Sequence, residues 1–490
     1  MGYSVLPYNQ SLALLTDFYE LTMAYAYWKS GVSQKEAVFH LFFRKNPFNS
    51  GFTIACGLEY VIDYLNNFHL DKSDINYLQT IKGNDDKAIF NQEFLDYLAN
   101  LQFAGNIDAV PEGTIVFPHE PLVRVQGPII QCQILETALL NIINFQTLIA
   151  TKASRICLAA GGEPVLEFGL RRAQGIDGSL AASRAAYIGG CSATSNVLAG
   201  KVFGIPVKGT HAHSWVMSFD NELEAFEEYA KAIPNNCVFL VDTYDTLEGV
   251  RRAIEIGNRL RQKGYELGGI RLDSGDLAYL SSEARKLLDK EGFSQAKIVA
   301  SNDLDENIIA SLKDQGAKID VWGVGTKLIT AYNQPALGGV YKLSAVRQSP
   351  GEWKYKVKLS EQAVKISNPG IQQVRRYVRQ GEAVADVIYH KETDLKAGCL
   401  IIDPLDPTRQ KRIPADTPGT DLLVPIFREG RRLYPQPGIE EIKVNAQKNL
   451  AQFHSGIKRF INPHQYPVGL EKSLYALKTD LILKTRDVTV

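Results

Sequence analysis

Val238-Phe-Leu-Val-Asp-Thr-Tyr-Asp245 and Gly269-Ile-Arg-Leu-Asp-Ser-Gly-Asp276 share one design, a short apolar run that ends in acidic residues. Between the two, residues 247–263 alternate apolar and charged side chains at helical spacing. An apolar strand, a helix and a second apolar strand are typical of a crossover unit that joins two parallel strands. This stretch therefore predicts a parallel sheet that is covered by helices.

The same unit repeats from about residue 163 to residue 330. Further helices are predicted at 222–232 and 277–291, where apolar and charged residues again alternate at helical spacing. The apolar runs start roughly 25 to 40 residues apart, which is the length of a strand, a crossover helix and two loops. The predicted strands are 164–168, 205–208, 238–241, 269–272, 296–300 and 319–324.

Polar residues or glycines follow all six predicted strands. In a parallel barrel such strand ends converge on one mouth, where barrel enzymes hold their active sites. A doubly wound open sheet is the alternative, but its ligands gather at a single switch point. Six similar ends favour a TIM-like parallel α/β barrel. The six tails are Gly169-Leu-Arg-Arg172, Gly209-Thr-His-Ala-His-Ser214, Asp242-Thr-Tyr-Asp245, Asp273-Ser-Gly-Asp276, Ser301-Asn-Asp303 and Gly325-Thr-Lys327.

The regions on either side of the repeats have a different pattern. We predict an N-terminal α+β domain over 1–150, the barrel over 151–340, and a C-terminal extension over 341–490 that partly returns to the N-terminal domain. The N-terminal pattern predicts strands at 38–43, 114–118 and 122–126 and helices at 58–68 and 91–101. The C-terminal pattern predicts strands at 355–359 and 423–427 and a helix at 439–453.

Composition excludes several classes of partner. Basic and acidic residues balance at 54 each, so no overall field favours nucleic acid. Six polar residues interrupt the most apolar stretch, 129–150, which predicts a buried core helix and no membrane span. Residues 1–10 lack the features of a signal peptide, and the six cysteines are scattered without a metal-binding spacing. We therefore expect a cytoplasmic protein.

Two of the strand tails carry groups that suit anions. Gly323-Val-Gly-Thr-Lys327 offers backbone N–H groups that could cradle a phosphate, although a plain tight turn explains it equally well and the Walker A spacing is absent. The Arg171-Arg172 pair offers forked donors for a carboxylate or phosphate. A surface ion pair is the alternative there, and the preceding strand–glycine junction favours a site.

The acidic and histidine tails suit catalysis. Carboxylates at Asp242, Asp273 and Asp276 could hold Mg²⁺, accept sugar hydroxyls or orient a histidine, although helix capping explains Asp276 and the nearby Asp245 as well. His211 and His213 follow a predicted strand within two residues of each other, which favours a chemical role. Zinc is disfavoured because the neighbourhood offers no third His or Cys ligand.

Five segments together resemble the signatures of the nicotinate phosphoribosyltransferase family. Four are the central tails in longer form, and a fifth stands near the start; the order is kept from Leu14 to Thr326. Tyr466-Pro-Val-Gly-Leu470 resembles the family's C-terminal region, and the likeness is looser past Tyr341. The five are Leu14-Leu-Thr-Asp-Phe-Tyr-Glu-Leu-Thr-Met23, Glu167-Phe-Gly-Leu-Arg-Arg-Ala-Gln-Gly175, Gly209-Thr-His-Ala-His-Ser-Trp-Val-Met217, Leu240-Val-Asp-Thr-Tyr-Asp245 and Ile270-Arg-Leu-Asp-Ser-Gly-Asp276.

This resemblance implies an irregular α/β barrel, an N-terminal domain that closes over it, and a homodimer with shared active sites. It implies that nicotinate and phosphoribosyl diphosphate form the mononucleotide used in NAD synthesis, with Mg²⁺ required. It also implies that ATP phosphorylates a histidine, here His213, whose hydrolysis drives the synthesis.

The resemblance carries further roles onto single residues. Phe168 and the partner subunit's Tyr19 would sandwich nicotinate, and Arg271, helped by Thr210 and Arg171, would face its carboxylate. The other roles complete the site. Asp273 would accept ribose hydroxyls, and Asp242 would orient His213. Gly325 with Thr326 would hold the 5′-phosphate, and Arg44 would reach pyrophosphate from across the dimer. Asp242 and Asp273 are the candidates for contact with Mg²⁺.

Four other functions are consistent with a barrel of this kind. The nearest alternative is a nicotinamide phosphoribosyltransferase, and a comparison of nicotinate with nicotinamide as substrates distinguishes the two activities. A quinolinate-using relative would need no phosphorylated histidine. A sugar-phosphate aldolase or isomerase usually presents a Schiff-base lysine or a glutamate base, and Lys208 and Lys327 are the lysines nearby. A nucleotide sensor without activity would be expected to have lost His213 or Asp273, which are both present.

Overall fold

The computed structural model describes residues 11–348 and 350–486, so the expectation for residues 1–10 lies outside the described range. The chain forms two compact units. The first combines Met1–Leu148 with Ala336–Val490, and the second is Ile149–Pro335. The C-terminal region thus shares a compact unit with the N-terminal region.

The N-terminal part of the first unit contains every element that its pattern predicts, with ends shifted by a few residues. Its helices are α1 (Phe18–Lys29), α2 (Leu58–Asn66), α3 (Lys72–Thr80), α4 (Gln92–Ala99) and α5 (Ile129–Ile134). Its strands are β1 (Glu36–Phe42), β2 (Thr53–Ile54), β3 (Asn106–Ala109), β4 (Ile115–Val116) and β5 (Val123–Pro128).

Strands and helices alternate through the second unit. Its strands are β6 (Val165–Glu167), β7 (Ala193–Thr194), β8 (Val238–Leu240), β9 (Gly269–Leu272), β10 (Lys297–Ala300) and β11 (Val321–Val324). Its helices are α6 (Glu136–Ala160, which begins in the first unit), α7 (Ile176–Ile188), α8 (Val197–Phe203), α9 (His213–Met217), α10 (Glu222–Ala232), α11 (Thr246–Gln262), α12 (Leu277–Lys290), α13 (Glu306–Asp314) and α14 (Thr326–Ile329).

The six strands of the second unit form one parallel sheet in the order β7-β6-β11-β10-β9-β8. The last strand along the chain, β11, pairs with the first, β6. Strands that follow one another in the chain are therefore neighbours and run in a single sense across the sheet, except β7 and β8, which are its two edges. This order lacks the reversal that marks the switch point of a doubly wound sheet.

One predicted strand differs from the structure. Residues 205–208 make a single bridge, between Val207 and Thr194, and the strand at that place is the short β7, which the sequence did not predict. Pro206 has no N–H group, so the segment pairs only through the Pro206 carbonyl and the Lys208 N–H. Gly204 with φ 74° ends the preceding helix directly before it. The segment therefore has too few backbone N–H groups in position to form a further strand of the sheet.

The C-terminal part of the first unit is rich in strands. They are β12 (Val340–Arg347), β13 (Lys354–Tyr355), β14 (Gln372–Arg379), β15 (Glu382–His390), β16 (Cys399–Ile402), β17 (Gln410–Ile413), β18 (Gly419–Asp421), β19 (Val424–Arg428), β20 (Arg431–Arg432) and β21 (Val468–Glu471). Two helices, α15 (Ile439–Ala451) and α16 (Lys472–Thr485), complete it. The sequence predicted β19 and α15 and missed the long hairpin of β14 and β15. The strand predicted at 355–359 is wrong in extent, because β13 is two residues long and overlaps it only at Tyr355.

These strands complete two sheets. A seven-stranded sheet, β13-β12-β1-β5-β3-β19-β20, interleaves strands from both ends of the chain. A six-stranded sheet, β17-β16-β21-β15-β14-β18, comes from the C-terminal part alone, and β2 pairs with β4.

The most apolar helical segment is a core helix. Ile129–Ala160 is the one described segment long and apolar enough to cross a membrane, and 67% of its most apolar window is buried inside the protein. The prediction of a core helix in a soluble protein is confirmed.

Candidate active site

A cavity of about 310 Å³ opens at the carboxyl ends of the parallel strands of the second unit. Seven of its lining residues are ones that the sequence analysis singled out, and they come from the ends of β6 and β9 and from the loop that leads into α9. The lining is Phe168, Leu170, Arg171, Ser195, Gly209, Thr210, His211, Ala212, His213, Leu240, Arg271 and Asp273. The convergence of strand tails thus yields one common pocket.

Arg271 is the best-connected group in this cavity. Its side chain is 15% exposed, and its Cζ lies 5.6 Å from the centre of the Phe168 ring. Three hydrogen bonds fix the guanidinium: Nε donates to Ser301 Oγ (2.8 Å), Nη1 to Thr210 Oγ1 (3.1 Å) and Nη2 to Asp273 Oδ1 (2.8 Å). An arginine has five N–H groups, so two remain for a ligand.

Asp273 is held in its charged form. Burial raises the pKa of this carboxyl, but the hydrogen bond from Ser301, the charge and hydrogen bond of Arg271 and the nearby His213 outweigh burial and lower the pKa below its usual value. His213 Nε2 lies 3.9 Å from Asp273 Oδ2. Asp273 therefore accepts from the arginine with one oxygen and places the other beside the histidine.

The orientation of His213 differs from the expectation that Asp242 sets it. His213 Nδ1 lies 3.1 Å from Thr243 Oγ1, the residue after Asp242. Asp242 Oδ2 instead accepts from the N–H of Asp273 (3.0 Å) and from Ser274 Oγ (2.6 Å). Because Asp242 binds the backbone of the neighbouring strand end, it fixes Asp273, and Thr243 contacts the histidine.

His211, the other histidine of the loop, is a structural contact. It is 8% exposed, and its Nε2 accepts the N–H of Leu240 in β8 (3.2 Å). Burial lowers its pKa to about 4, so the ring is neutral near pH 7. Its ring packs 5.0 Å from that of Tyr229. His211 thus ties the loop to the sheet while His213 faces the cavity.

Glu167 begins one of the family segments but had no predicted role, and it binds several groups at the end of β6. This carboxylate is 1% exposed and accepts from Ser183 Oγ (2.9 Å), Thr194 Oγ1 (2.6 Å) and the N–H of Gly169. A Cβ at Gly169 would lie 2.5 Å from Ile329 Cβ, so only glycine fits there. These contacts set the direction in which Phe168 leaves the strand.

The two glycines at the end of β11 let this strand approach Phe168. A Cβ on Gly323 would lie 2.9 Å from the Phe168 ring, and one on Gly325 would lie 3.1 Å from the Phe168 carbonyl oxygen. Gly325 precedes α14, which begins at Thr326. Neither Gly325 nor Thr326 lines the cavity around Arg271.

The other predicted site residues lie elsewhere. Asp245 and Asp276 cap α11 and α12 through their side chains, as the capping alternative predicts. Tyr19 and Arg44 belong to the first unit. Tyr19 is about half exposed and lies near the carboxylate of Glu136. Arg171 lies on an exposed 3-10 turn at the edge of the cavity.

Sequence reasoning missed the supporting residues of the site. Ser301 and Thr243 both stand in quoted strand tails, where a hydroxyl within two residues of a strand end was an available signal. Ser195 follows β7, which was not predicted, so no signal led to it. Among the described residues no group of three or more His, Cys, Asp or Glu side chains is arranged to hold a metal ion.

Comparison with protein families gives three matches in chain order. Residues 14–144 match the N-terminal domain of nicotinate phosphoribosyltransferase, residues 165–393 match the nicotinate phosphoribosyltransferase family, and residues 371–478 match the C-terminal domain. These matches span both units.

Full-length relatives agree. The chain is 45% identical to the nicotinate phosphoribosyltransferase of Bacillus subtilis (strain 168) over 97% of this chain and 96% of that protein. It is 33% identical to the human protein of that name over 96% of each. The crystal structure of human nicotinic acid phosphoribosyltransferase superposes with a TM-score of 0.84 at 31% identity, covering 95% of this chain and 99% of that one.

Proposed function

The chain belongs to the nicotinate phosphoribosyltransferase family and is an enzyme of that activity in NAD salvage; from this premise we propose how the cavity performs the reaction. Nicotinate reacts there with phosphoribosyl diphosphate to give nicotinate mononucleotide and pyrophosphate. We also propose that the parallel sheet is an irregular barrel, which the pairing of β11 with β6 and the single sense of the strand order support. The cavity would then lie at the barrel mouth.

The geometry of Arg271 and Phe168 carries the proposal. The guanidinium lies 5.6 Å from a flat apolar ring and keeps two N–H groups after its three protein contacts. A ligand that is planar, aromatic and carries a carboxylate matches both features, because the ring stacks on Phe168 and the carboxylate accepts from the fork. Nicotinate has this chemistry, and Arg171 at the cavity edge adds a second cation.

The reaction needs little acid–base catalysis. The pyridine nitrogen of nicotinate is unprotonated near neutral pH, so it attacks C1′ of the ribose directly, and the bond from C1′ to the pyrophosphate oxygen breaks. The protein's task is to orient the two substrates and to stabilise the positive charge that develops on the sugar. Asp273, held as a carboxylate, accepts the ribose hydroxyls beside that charge.

The carboxylates of the site fit Mg²⁺ that arrives with the diphosphate. Asp242 Oδ1 is buried and accepts no hydrogen bond from the described residues, so it is available to a cation or its water shell. Asp273 is the second candidate. When bound, Mg²⁺ neutralises the departing pyrophosphate. Backbone N–H groups at Gly325 and Thr326 would hold the 5′-phosphate, since that strand end closes against Phe168.

In this proposal ATP phosphorylates His213. Thr243 occupies Nδ1, which leaves Nε2 beside Asp273 as the nucleophile for the γ-phosphate, with ADP as the leaving group. Water later cleaves the N–P bond, and this hydrolysis drives the synthesis forward.

We propose a cytoplasmic homodimer with two composite sites. The partner subunit's Tyr19 would cover the second face of nicotinate, and the partner subunit's Arg44 would contact the pyrophosphate. Tyr19 suits this role because its ring is half exposed on α1. The Arg44 Nε is buried and makes no hydrogen bond with the described residues, which leaves a donor for an anion.

The substrate assay tests the assignment. Purified protein is incubated with phosphoribosyl diphosphate and Mg²⁺ together with nicotinate or nicotinamide, and the mononucleotide is identified. We expect nicotinate to be preferred by at least roughly tenfold in kcat/KM, since each ~1.4 kcal/mol of differential binding is a factor of ten. A preference for nicotinamide would replace the proposal with the nearest alternative activity.

Labelling with ATP tests the histidine. We expect an acid-labile, base-stable phosphate on the wild-type enzyme that is lost in His213→Ala, together with loss of ATP stimulation and with some ATP-independent transfer retained. The matched variant is His211→Asn, two residues away. Label that persists in His213→Ala and disappears in His211→Asn contradicts the assignment.

Subunit mixing tests the composite site. Tyr19→Ala and Phe168→Ala proteins, each impaired alone, should recover activity when their subunits exchange, because one site of each mixed dimer then has both rings. Absence of recovery after exchange has been demonstrated by mass would mean that one chain builds each site.

A further inference from the structure

Beyond these roles, we propose that Ser301 is a positioning residue that aims Arg271 at the pyridine carboxylate and so sets the preference for the acid over the amide. The inference rests on the proposed function, because it requires Arg271 to receive nicotinate. Ser301 does not line the cavity, and it is 4% exposed, so it acts through other residues.

The backbone holds Ser301 between two strands. It is the first residue after β10, and its N–H donates to the carbonyl of Leu272 at the end of β9 (2.9 Å). The hydroxyl therefore starts from a fixed point next to Arg271 and Asp273, which stand on the same strand end. A side chain on a rigid element transmits its position to the groups that it contacts.

One hydroxyl proton determines the direction of the network. A guanidinium only donates, so Ser301 Oγ must accept from Arg271 Nε (2.8 Å). The single proton of the hydroxyl has two acceptors within reach, the Leu272 carbonyl oxygen (3.4 Å) and Asp273 Oδ1, and it goes to Asp273 because that oxygen is closer and charged. Arg271 Nη2 also donates to Asp273 Oδ1 (2.8 Å). Arg271, Ser301 and Asp273 thus form a closed ring of three hydrogen bonds.

This ring uses one edge of the guanidinium. Nε and Nη2 face Ser301 and Asp273, and Nη1 also contacts Thr210. The N–H groups that remain, one on each Nη nitrogen, are the pair that binds a carboxylate through two parallel bonds. A rotation of the guanidinium would change the direction of these two N–H groups, and the bond to Ser301 opposes such a rotation at the Nε end.

The consequence is specific to a charged ligand. A carboxylate needs both N–H groups at a defined angle, whereas a neutral amide presents one acceptor oxygen and tolerates a tilted guanidinium. Loss of the Ser301 hydroxyl should therefore weaken nicotinate binding more than nicotinamide binding. A residue with only a structural role would change both substrates equally.

The experiment compares Ser301→Ala with Ser281→Ala in the intact enzyme. Ser281 is a matched control: it is fully buried in α12 of the same unit, donates to a carbonyl (3.1 Å) and accepts a backbone N–H (3.0 Å), and it lies outside the cavity lining. KM and kcat are measured for nicotinate and nicotinamide at saturating phosphoribosyl diphosphate and fixed Mg²⁺, and thermal midpoints are recorded.

We expect Ser301→Ala to lower kcat/KM for nicotinate by roughly tenfold, mainly through KM, which is the usual effect of a lost hydrogen bond to a charged group. The kcat/KM for nicotinamide should fall by less than about threefold, so the ratio of kcat/KM for nicotinate to that for nicotinamide becomes smaller. Ser301→Thr keeps the hydroxyl and should recover most of the ratio. Ser281→Ala should leave the ratio unchanged, whatever its thermal midpoint.

An equal loss for both pyridines in Ser301→Ala, or an unchanged ratio with a lowered thermal midpoint, overturns the inference and leaves the proposed function intact. A wild-type enzyme that does not use nicotinate overturns the proposed function instead. The two failures are therefore distinguishable in one set of assays.

Discussion

Arg271 in the second unit and Arg376 in the first each bind an aspartate, but their surroundings differ. The Arg271 and Asp273 side chains are 15% and 29% exposed, and those of Arg376 and Asp386 are 5% and 0% exposed. The first pair faces a cavity of about 310 Å³. The second is enclosed by protein on every side.

The enclosed pair is part of a buried cluster. Arg376 binds Asp386 through Nε (3.0 Å) and Nη2 (2.5 Å), and Tyr466 donates to the same carboxylate (2.9 Å). The Arg376 Cζ lies 4.9 Å from the Phe453 ring. Burial and the charge of Asp386 raise the pKa of Glu120 well above its usual value, which favours the neutral acid, and Glu120 Oε2 accepts the N–H of Phe117 (2.8 Å).

The comparison shows that an arginine–aspartate pair can serve either the fold or a binding site, depending on its surroundings. In the core, the partners of Arg376 are protein groups and the pair supports the fold. At the cavity, three of the five N–H groups of Arg271 hold the residue in place and two are left for a ligand. Breaking the core pair should therefore change stability, and breaking the cavity pair should change activity.

The largest expected effect is on stability, in Arg376→Met. Removing one partner of a buried pair leaves an uncompensated charge on Asp386, and such a loss typically costs about 3–5 kcal/mol of folding free energy. The double variant with Asp386→Leu should recover much of it, because both charges are then gone. Urea unfolding and kcat/KM are measured together; a large change in kcat/KM of the folded single variant would contradict the division between the two regions.

The next effect is on activity, in Arg271→Ala. Truncating one partner of a desolvated charge pair costs about 2–5 kcal/mol of binding free energy, here with the nicotinate carboxylate as the other partner. Nicotinate use should fall strongly and nicotinamide use much less. Arg271→Lys should recover only part of the loss, because an ammonium lacks the planar fork. If steady-state kinetics give an unchanged substrate ratio, Arg171 becomes the residue to test.

The pH dependence of stability should separate the two regions again. The pKa of Glu120 is raised in the folded protein, so its contribution is fully present below its unfolded pKa of about 4.3 and is lost as pH rises through the folded pKa, by up to about 1.4 kcal/mol per pH unit. The pKa of Asp273 is lowered, so its contribution is present above about pH 3.9 and is lost as pH falls.

Glu120→Gln keeps the shape and cannot ionise, so the urea midpoint of this variant should lose the decline that the wild type shows from about pH 5 upward. The matched control Glu382→Gln changes an exposed glutamate of the same unit and should keep the wild-type decline. Parallel curves for wild type and Glu120→Gln would show that Glu120 is ionised in the folded protein.

The smallest expected effect is in Thr210→Val. It removes one neutral hydroxyl from Arg271 Nη1, and a single hydrogen bond of this kind contributes about 0.5–1.5 kcal/mol. Nicotinate kcat/KM should fall by less than in Arg271→Ala, with an unchanged unfolding midpoint. A loss as large as that of Arg271→Ala would assign Thr210 a direct role with the substrate.

The sequence by itself determined the strand ends and the residue types that they carry. Periodicity located β8, α11 and β9, because apolar runs and helical spacing are local features of the sequence and the folded structure keeps these elements. It also identified Asp273 and His213, since polar residues directly after parallel strands converge at one edge. Arg271 stands inside β9 and was identified through the family resemblance. The five ordered segments identified the family.

Only the tertiary structure decided which side chains contact each other. Thr243 rather than Asp242 lies against His213 Nδ1, because the choice between adjacent residues depends on which way each leaves β8. The hairpin of β14 and β15 escaped prediction because buried polar residues such as Arg376 mask its alternation. The partners of Arg376 are Asp386 on the opposite strand of the hairpin and the carbonyl of Ile115 in the N-terminal region, and local sequence shows neither pairing. Hydrogen bonds across the sheet, such as that of Ser301 with Arg271, depend on register between strands, which local sequence does not encode.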